Sequence, residues 1–294
     1  MREVIAILGS DWHLREDRPV CRTDDYWVAQ QRKIRRVLAL QDEHDCPIIH
    51  AGDLFEHWKP SPFLLSFFMQ EFLEAGPFYT IYGNHDLPQH NLDLAYKSGI
   101  ATLEQAGFVE VLDGVHWGQV DDLSQRLDDY LIEVEGRQLL VWHVMTWLGE
   151  RPHPNSTDPS ADHLLRQHPE ADLILTGHNH QPFYYAEAHR AILNPGSLMR
   201  CKADQVDHEP SVYLWYDDNS VEQVVLPYEP GVVSREHIEA REAGDSRRYQ
   251  AFIEQLQERA PEISFRANLE RFLNEHPTSK PVRDLVWASI EERP

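Results

Sequence analysis

Side chains that bind divalent metals recur directly after short apolar segments of this sequence. Four such groups are present: Asp11 and His13 after residues 3–9, Asp53 after residues 47–51, Asn84, His85 and Asp86 after residues 78–82, and His178 and His180 after residues 172–176. A fifth apolar segment, residues 138–142, ends at His143. Carboxylate, amide and imidazole groups without a thiolate suit manganese, iron or zinc in an open site, not a closed structural zinc site. The pattern therefore predicts a catalytic metal centre.

The spacing indicates how these side chains converge. Residues i and i+2 of an extended backbone point the same way, so the pairs Asp11/His13 and His178/His180 each aim at one point. Strand ends gather at one edge of an α/β sheet. The set is too large for one ion and sufficient for two if one carboxylate bridges them. Two ions about 3.5–4 Å apart can activate a water and hold both the attacking oxygen and the leaving oxygen of a phosphoryl displacement.

The alternative interpretation is that these residues are ordinary turn, surface or core positions. Gly83-Asn84 alone is a common turn dipeptide. That interpretation is the default for five histidines outside the groups, namely His50, His57, His90, His116 and His208. It does not account for a ligand-type residue after every one of these apolar segments.

Apolar periodicity predicts the elements that position the groups. Strands are expected at 3–9, 47–51, 78–82, near 108–117, and at 130–135, 138–142, 172–176, 182–186, 189–193, 211–217 and 221–227, with helices at 25–43, 61–75 and 91–106. Residues 119–129 are expected to form a loop or a helical turn, and residues 149–160 a loop. After residue 230 the composition changes, and residues 234–292 contain three one-sided helical patterns. We therefore predict a first domain at 1–230, which contains all the candidate metal ligands, and a helical region at 231–294.

Composition limits the class of protein. With 294 residues, 41% of them hydrophobic, the chain can bury a sizeable core. Its three cysteines form no Cys-x-x-Cys pair, and no segment resembles a signal peptide or a membrane span. We expect a cytoplasmic protein without a membrane partner.

The net charge of −22 is unfavourable for binding nucleic acid, because phosphate backbones are held by lysine and arginine. Basic residues occur in the loop 14–24 and on the predicted outer face of the helix 25–43. We interpret the helix cluster either as a solvated face or as a patch that contacts a phosphate backbone. The candidate substrate-binding residues are Arg15, Arg18, Arg32, Lys33 and Arg36.

Taken together, the groups resemble the five motifs of the calcineurin-like metallophosphoesterases, over roughly residues 1–228. The motifs are Asp11-x-His13, Gly52-Asp53, Gly83-Asn84-His85-Asp86, His143 and Gly177-His178-x-His180. The resemblance implies an α/β fold, a four-layer sandwich of two mixed β-sheets flanked by helices, with a binuclear centre. It implies that Asp11, His13, Asp53 and His180 hold one ion, and that Asp53, Asn84, His143 and His178 hold the other. His85 would then donate a proton to the leaving oxygen, steadied by Asp86.

Two segments resemble more narrowly the SbcD-type DNA repair nucleases, including small phage-like versions: Gly52–Glu56 with Lys59-Pro60-Ser61, and Gly83–Pro88. This resemblance implies 3′-to-5′ trimming and nicking of DNA, a preference for manganese over iron, zinc or magnesium, and an SbcC-type coiled-coil ATPase partner. Residues 231–294 are fewer than the corresponding C-terminal region of the larger relatives, and their pattern predicts only helices. A phosphohydrolase for nucleotides or other small phosphoesters is the alternative, and a non-catalytic scaffold is a third hypothesis. The helical region is expected to dock on the ATPase or a second copy of the chain, or to pack on the first domain.

Overall fold

The computed structural model describes residues 2–151, 156–236, 265–276 and 278–291. The chain divides into two compact units, residues 1–235 and 236–294. In the first unit, Val232–Ser234 pair with Cys21–Thr23 through hydrogen bonds of 3.0 Å (Thr23 N to Val232 O) and 2.7 Å (Ser234 N to Cys21 O). The first unit therefore continues past residue 230.

Eleven labelled strands and four labelled helices build the described part of the first unit. The strands are β1 (Val4–Gly9), β2 (Ile48–His50), β3 (Phe78–Thr80), β4 (Glu110–Val111), β5 (Leu131–Val134), β6 (Arg137–His143), β7 (Leu173–Gly177), β8 (Phe183–Glu187), β9 (Arg190–Asn194), β10 (Ser211–Tyr216) and β11 (Val221–Val225). The helices are α1 (Tyr26–His44), α2 (Pro62–Glu71), α3 (Gly99–Gln105) and α4 (Ala161–Gln167). In the second unit, α5 spans Phe265–Glu275 and α6 spans Lys280–Glu291.

The strands form two mixed sheets. The first has the order β11-β10-β1-β2-β3-β4, in which β1 to β4 are parallel neighbours and β10 runs antiparallel to β1. The second has the order β5-β6-β7-β9-β8, with β6, β7 and β9 parallel. The parallel strands of both sheets are consecutive in space, so their carboxyl ends lie along common edges.

Alternating apolar side chains place three cores between four layers. In β2, Ile48 packs under α1 and α2, whereas Ile49 faces the second sheet. In β7, Leu173 and Leu175 face the first sheet and Ile174 faces α4. This period of two is what a strand buried on both faces requires. The predicted fold, two mixed sheets flanked by helices, is confirmed.

The predicted elements agree with the structure except in three places. The helix expected at 91–106 is a 3₁₀ segment at Leu92–Lys97 followed by α3. The strands expected near 108–117 reduce to β4 and a single bridge between Val115 and Trp142. No element was expected at α4. Of the three C-terminal patterns, the one containing Tyr249 and Leu256 lies outside the described residues. No helix within the described ranges is long and apolar enough to cross a membrane.

Candidate metal centre

The loops that follow β1 and β2 run side by side and begin the site. Asp11 N donates to Gly52 O at 3.0 Å, and His13 N donates to Asp53 O at 3.0 Å. Asp11, His13 and Asp53 all adopt left-handed backbone angles, with φ of 51°, 46° and 57°. His178, in the loop after β7, has a φ of 77°. This conformation costs a non-glycine residue about 1–3 kcal/mol, and residues that adopt it are often found at functional sites.

One cluster of side chains contains the residues predicted for the first ion. His13 Nε2 lies 3.0 Å from His180 Nε2 and 3.7 Å from Asp53 Oδ2. Asp11 Oδ1 lies 3.8 Å from His13 Nε2 and 3.7 Å from His180 Nε2. Asp11 also accepts hydrogen bonds of 3.1 Å from His178 N, which tie the loop after β7 to the loop after β1.

A second cluster contains the residues predicted for the other ion. His143 Nε2 lies 3.4 Å from Asp53 Oδ2 and 3.2 Å from Asn84 Oδ1. His178 Nδ1 lies 2.9 Å from the same Asn84 oxygen. The two clusters share Asp53, whose Oδ2 faces a histidine nitrogen in each of them. The structure therefore brings all seven predicted ligands together.

The chemistry of these groups fits two divalent cations. Among the described residues, three sets of potential donor atoms each lie within 4.8 Å of one another: Asp11/His13/His180 and Asp53/His143/His178 in the two clusters, and His13/Glu56/His85 beside the first. Nε2 of His13 and Nε2 of His180 face one another at 3.0 Å and can form a hydrogen bond only if one of them carries a proton. A cation bound by these nitrogens and the neighbouring carboxylate oxygens would use both lone pairs, and the donor set suits manganese, iron or zinc.

Two glycines permit the loops to approach this closely. A Cβ at Gly83 would overlap the Asp53 carboxylate and the Asp53 main chain. A Cβ at Gly52, which has a φ of +86°, would lie 2.6 Å from Nδ1 of His143 and 2.8 Å from Gly83 N. No heavier residue fits either position without moving a predicted ligand.

The partners of the second ring nitrogen orient the histidines. His143 Nδ1 lies 2.7 Å from Ala51 O, which turns Nε2 towards Asp53. Nδ1 of His13 lies 3.2 Å from Glu56 Oε2, and Glu56 Oε1 lies 3.1 Å from an Arg15 nitrogen. Contacts of this kind fix the ring orientation of metal-binding histidines. The motif Gly52–Glu56 predicts no role for Glu56, although its position three residues after Asp53 is a usable signal.

Asp86 has a different role from the one predicted. Its carboxylate accepts main-chain hydrogen bonds from Asp53 N at 2.8 Å, Gly83 N at 3.0 Å, Phe55 N at 3.2 Å and Leu54 N at 3.3 Å. The ring of His85 is held instead by the Glu56 carbonyl, 2.8 Å from Nδ1. The expectation that Asp86 steadies His85 is therefore wrong. Asp86 fixes the loop that carries Asp53, since a buried carboxylate accepts main-chain N–H groups well.

His85 lies beside the first cluster and the shared Asp53. Its main-chain N donates to Asp53 Oδ1 at 2.8 Å, and its ring centroid lies 4.7 Å from that of His13. The carbonyl of Glu56 can only accept, so Nδ1 of His85 carries a hydrogen. Nε2 is the ring nitrogen left to exchange a proton with a substrate.

The electrostatics of the site favour cation binding at neutral pH. Burial lowers the pKa of His180 to about 2 and that of His178 to about 4, and neighbouring histidines add to both shifts. Both rings are therefore neutral, as metal ligands must be. Burial alone would lower the pKa of His143, but the carboxylates of Asp53 and Asp11 and the main-chain contact with Ala51 together outweigh it and raise that pKa to about 9. A cation would replace this proton.

The predicted substrate-binding cluster on α1 is wrong in one residue. Lys33 is buried, with 2% of its surface exposed, because it lies on the stripe Tyr26, Gln30, Lys33, Val37, Leu40 that faces the core. Burial lowers the pKa of Lys33 to about 8, with further effects from Arg22 and Arg200. This lysine cannot contact a phosphate backbone in the structure.

The predicted arginines are placed as follows. Arg15 lies next to the metal centre, bound to Glu56 and Asp17. Arg32 pairs with Glu229 at 3.3 Å, and Arg36 pairs with Glu43 at 3.9 Å. Arg18 is exposed. The arginines of α1 are thus already paired, and only Arg15 contacts a group that touches the metal centre.

The sequence from residue 5 to residue 215 matches the family described as the calcineurin-like phosphoesterase superfamily domain. The chain belongs to this family. Membership makes it a phosphoester hydrolase of a metal-binding kind, in agreement with the clustered aspartates and histidines.

Matches among solved structures include the following two. One is a novel archaeal phosphodiesterase, 16% identical, with a TM-score of 0.44; the match covers 77% of this chain and 100% of that one. The other is a conserved protein from Streptococcus pneumoniae TIGR4, described as a "predicted phosphoesterase", 18% identical, with a TM-score of 0.39; the match covers 79% of this chain and 95% of that one. No curated protein matches the sequence.

Proposed function

We propose that the protein is a metal-dependent phosphodiesterase that processes DNA ends in the 3′-to-5′ direction and nicks single strands. The observation that carries the proposal is the pair of donor clusters that share Asp53, with His85 beside the first of them. This arrangement is suited to a phosphoryl displacement, because bound cations would activate a water and His85 would protonate a leaving oxygen.

The residues divide the work as follows. Asp11, His13, Asp53 and His180 would hold one ion, and Asp53, Asn84, His143 and His178 the other. When bound, two divalent ions supply a nucleophilic water at neutral pH and stabilise charge on the phosphoryl oxygens. His85, held through Nδ1 by the Glu56 carbonyl, presents Nε2 to protonate the leaving oxygen. Asp86 keeps the Asp53 loop in register through its four main-chain contacts.

We propose DNA as the substrate because two motifs of the sequence resemble those of DNA nucleases. Gly52–Glu56 and Gly83–Pro88 resemble those of SbcD-type nucleases, which favour manganese. We infer that manganese is the natural metal and that an SbcC-type coiled-coil ATPase is the partner. Exposed apolar side chains on the C-terminal helices support a docking role, since Phe272, Val282 and Leu285 are 55%, 46% and 71% exposed.

A specific observation favours a second candidate function. The net charge is −22, Lys33 is buried, and Arg32 and Arg36 are paired with carboxylates. A surface of this kind does not attract a polyanion. Hydrolysis of nucleotides or other small phosphoesters is therefore the alternative to DNA cleavage.

An activity panel separates the two functions. The chain is supplied with Mn²⁺ and given single-stranded DNA, linear duplex DNA, a nucleoside monophosphate and a simple phosphodiester. We expect DNA cleavage that is lost in Asp53→Asn together with bound metal, and reduced about 10²–10⁴-fold in His85→Ala with metal retained. Robust hydrolysis of the nucleotide with no action on any DNA would replace the first function by the second.

The partner proposal has a separate test. Truncation after residue 236 keeps the Val232–Ser234 pairing and removes α5 and α6. We expect hydrolysis of the simple phosphodiester to be unchanged, and binding to a coiled-coil ATPase or to a second copy to be lost. If the truncated chain kept the same oligomeric state and the same partner binding, the docking role would be wrong.

A further inference from the structure

We propose that Trp117 is a substrate-binding residue at the mouth of the metal centre, where its indole stacks on a nucleobase or another flat aromatic group of the phosphodiester. The proposal rests on the phosphodiesterase function above and names the group that the site recognises besides the phosphate. Sequence patterns gave no signal for this residue, because it lies outside every motif.

Trp117 contacts two of the predicted metal ligands directly. Its ring centroid lies 4.6 Å from that of His178, with the planes tilted by 36°, and 6.1 Å from that of His143, with the planes at 74°. The side chain is partly exposed. A group bound to the phosphorus between the two clusters would therefore lie within reach of the indole.

The main chain around Trp117 is fixed to both sheets. Val115 N donates to Val141 O at 2.8 Å, and His143 N donates to Val115 O at 3.1 Å, which attaches the segment to β6. Trp117 N donates to Tyr82 O at 2.9 Å, which attaches it to the chain after β3. The surface opens immediately afterwards, since a Cβ at Gly118 would meet nothing within 4 Å. A rigid platform of this kind binds an aromatic group at low entropic cost.

The indole and the predicted proton donor lie beside different clusters. The ring of His85 contacts that of His13, in the cluster for the first ion, whereas Trp117 contacts His178, in the cluster for the second. The group that stacks on Trp117 is therefore not the leaving group that His85 protonates. It belongs to the arm of the diester that stays on the phosphorus.

Stacking also suits the charge of this chain. Base–aromatic contacts need no cation and tolerate any base, because every base has a π face. In a protein with a net charge of −22, an uncharged contact next to the predicted metal ligands is an effective way to hold a nucleoside.

Two phosphodiesters with the same leaving group test the proposal. Thymidine 5′-(p-nitrophenyl phosphate) carries a base on the arm that stays, and methyl p-nitrophenyl phosphate does not. We expect Trp117→Leu to lower kcat/KM for the thymidine ester about 10-fold or more, chiefly through KM, and to change kcat/KM for the methyl ester less than about 2-fold. Trp117→Phe should retain most of the preference for thymidine.

The control is Trp27→Leu, a tryptophan whose ring lies 4.7 Å from that of Phe67 on the helical layer. It should leave the preference between the two esters unchanged. An equal loss on both esters in Trp117→Leu, with less manganese bound, would mean that the indole only holds His178 and would overturn the proposal. No change on either ester would overturn it too. If the wild-type chain hydrolyses neither ester, the phosphodiesterase function itself fails, and the substrate role fails with it.

Discussion

At the residue scale, Glu56 connects the predicted metal ligands to the predicted proton donor. Its carboxylate lies 3.2 Å from Nδ1 of His13, and its carbonyl lies 2.8 Å from Nδ1 of His85. The side chain and the main chain of one residue thus orient two histidines with different roles. A substitution changes the first contact and leaves the second in place, so the two effects are separable.

Glu56→Ala should weaken manganese binding about 10–100-fold, because a ligand histidine that loses the partner of its other nitrogen loses its orientation and basicity. Glu56→Gln should fall between the wild type and the alanine variant. Calorimetric titration of the metal-free chain with Mn²⁺ measures the affinity. Asp17→Asn is the matched control, since Asp17 also binds Arg15 but does not touch His13. Equal affinities in Glu56→Ala and the control would contradict the role given to Glu56.

The sequence predicted which side chains come together because each follows a strand end, a signal that depends only on local chain order. The roles of Glu56 and Asp86 depend on which partner their atoms meet across the loops, and no spacing encodes that. The burial of Lys33 could be predicted from helical spacing, since it lies four residues before Val37 and seven after Tyr26, both of which face the core. Its charge led to the opposite expectation.

At the element scale, the loops after β2 and β3 approach each other through glycine. Gly83→Ala should abolish manganese binding, because a methyl group would overlap Asp53, the carboxylate that both clusters share. Gly76→Ala is the control: its Cβ would meet only the flexible side chain of Gln41, at 3.0 Å. Metal content after purification distinguishes the two variants. Full manganese occupancy in Gly83→Ala would show that the loops separate more easily than the structure indicates.

The segment that carries Trp117 provides a second prediction at this scale. Tyr82 N donates to His116 Nδ1 at 3.0 Å, so this ring nitrogen must be unprotonated. Burial lowers the pKa of His116 to about 4. Because the folded pKa lies below the unfolded value, the unfolded chain takes up the proton first as the pH falls. The stabilisation is complete above about pH 6.5 and is lost as the pH falls towards about 4.

His116→Gln should therefore be less sensitive to acid than the wild type. The difference in free energy of unfolding between about pH 7.5 and about pH 4.5 should be smaller by about 2–3 kcal/mol, because glutamine does not titrate. Urea unfolding at the two pH values measures it, and the other buried histidines contribute equally to both proteins. The same pH dependence in the variant and the wild type would show that His116 titrates normally.

Elements with a clear apolar pattern were predictable and those without one were not, for a physical reason. The helix α1 has 19 residues and repeats its apolar stripe over five turns, whereas α4 has seven residues and shows barely two turns of it. The bridge between Val115 and Trp142 involves one residue from each side, so it leaves no periodic trace in the sequence. Yet that bridge fixes the segment that brings Trp117 to the metal centre.

At the scale of the whole molecule, the net charge of −22 must act on any polyanionic substrate. Most nucleases lose affinity for DNA as the salt concentration increases. Their lysines and arginines bind by displacing salt cations from the phosphates, and added salt opposes that displacement. Here the arginines of α1 are paired and Lys33 is buried, so repulsion between protein and DNA dominates at long range. Salt screens that repulsion at distances beyond the Debye length, which is about 10 Å at 0.1 M.

We therefore expect kcat/KM for single-stranded DNA, in the absence of a partner, to rise between about 20 and about 150 mM NaCl at constant Mn²⁺. The value for a small monoanionic phosphodiester should change much less over the same range, because one charge is only weakly repelled, and this substrate is the control. A steep fall for DNA alone would reveal a cationic path to the metal centre. A rise would mean that, without a partner, the chain holds single-stranded DNA through the metals and through uncharged contacts.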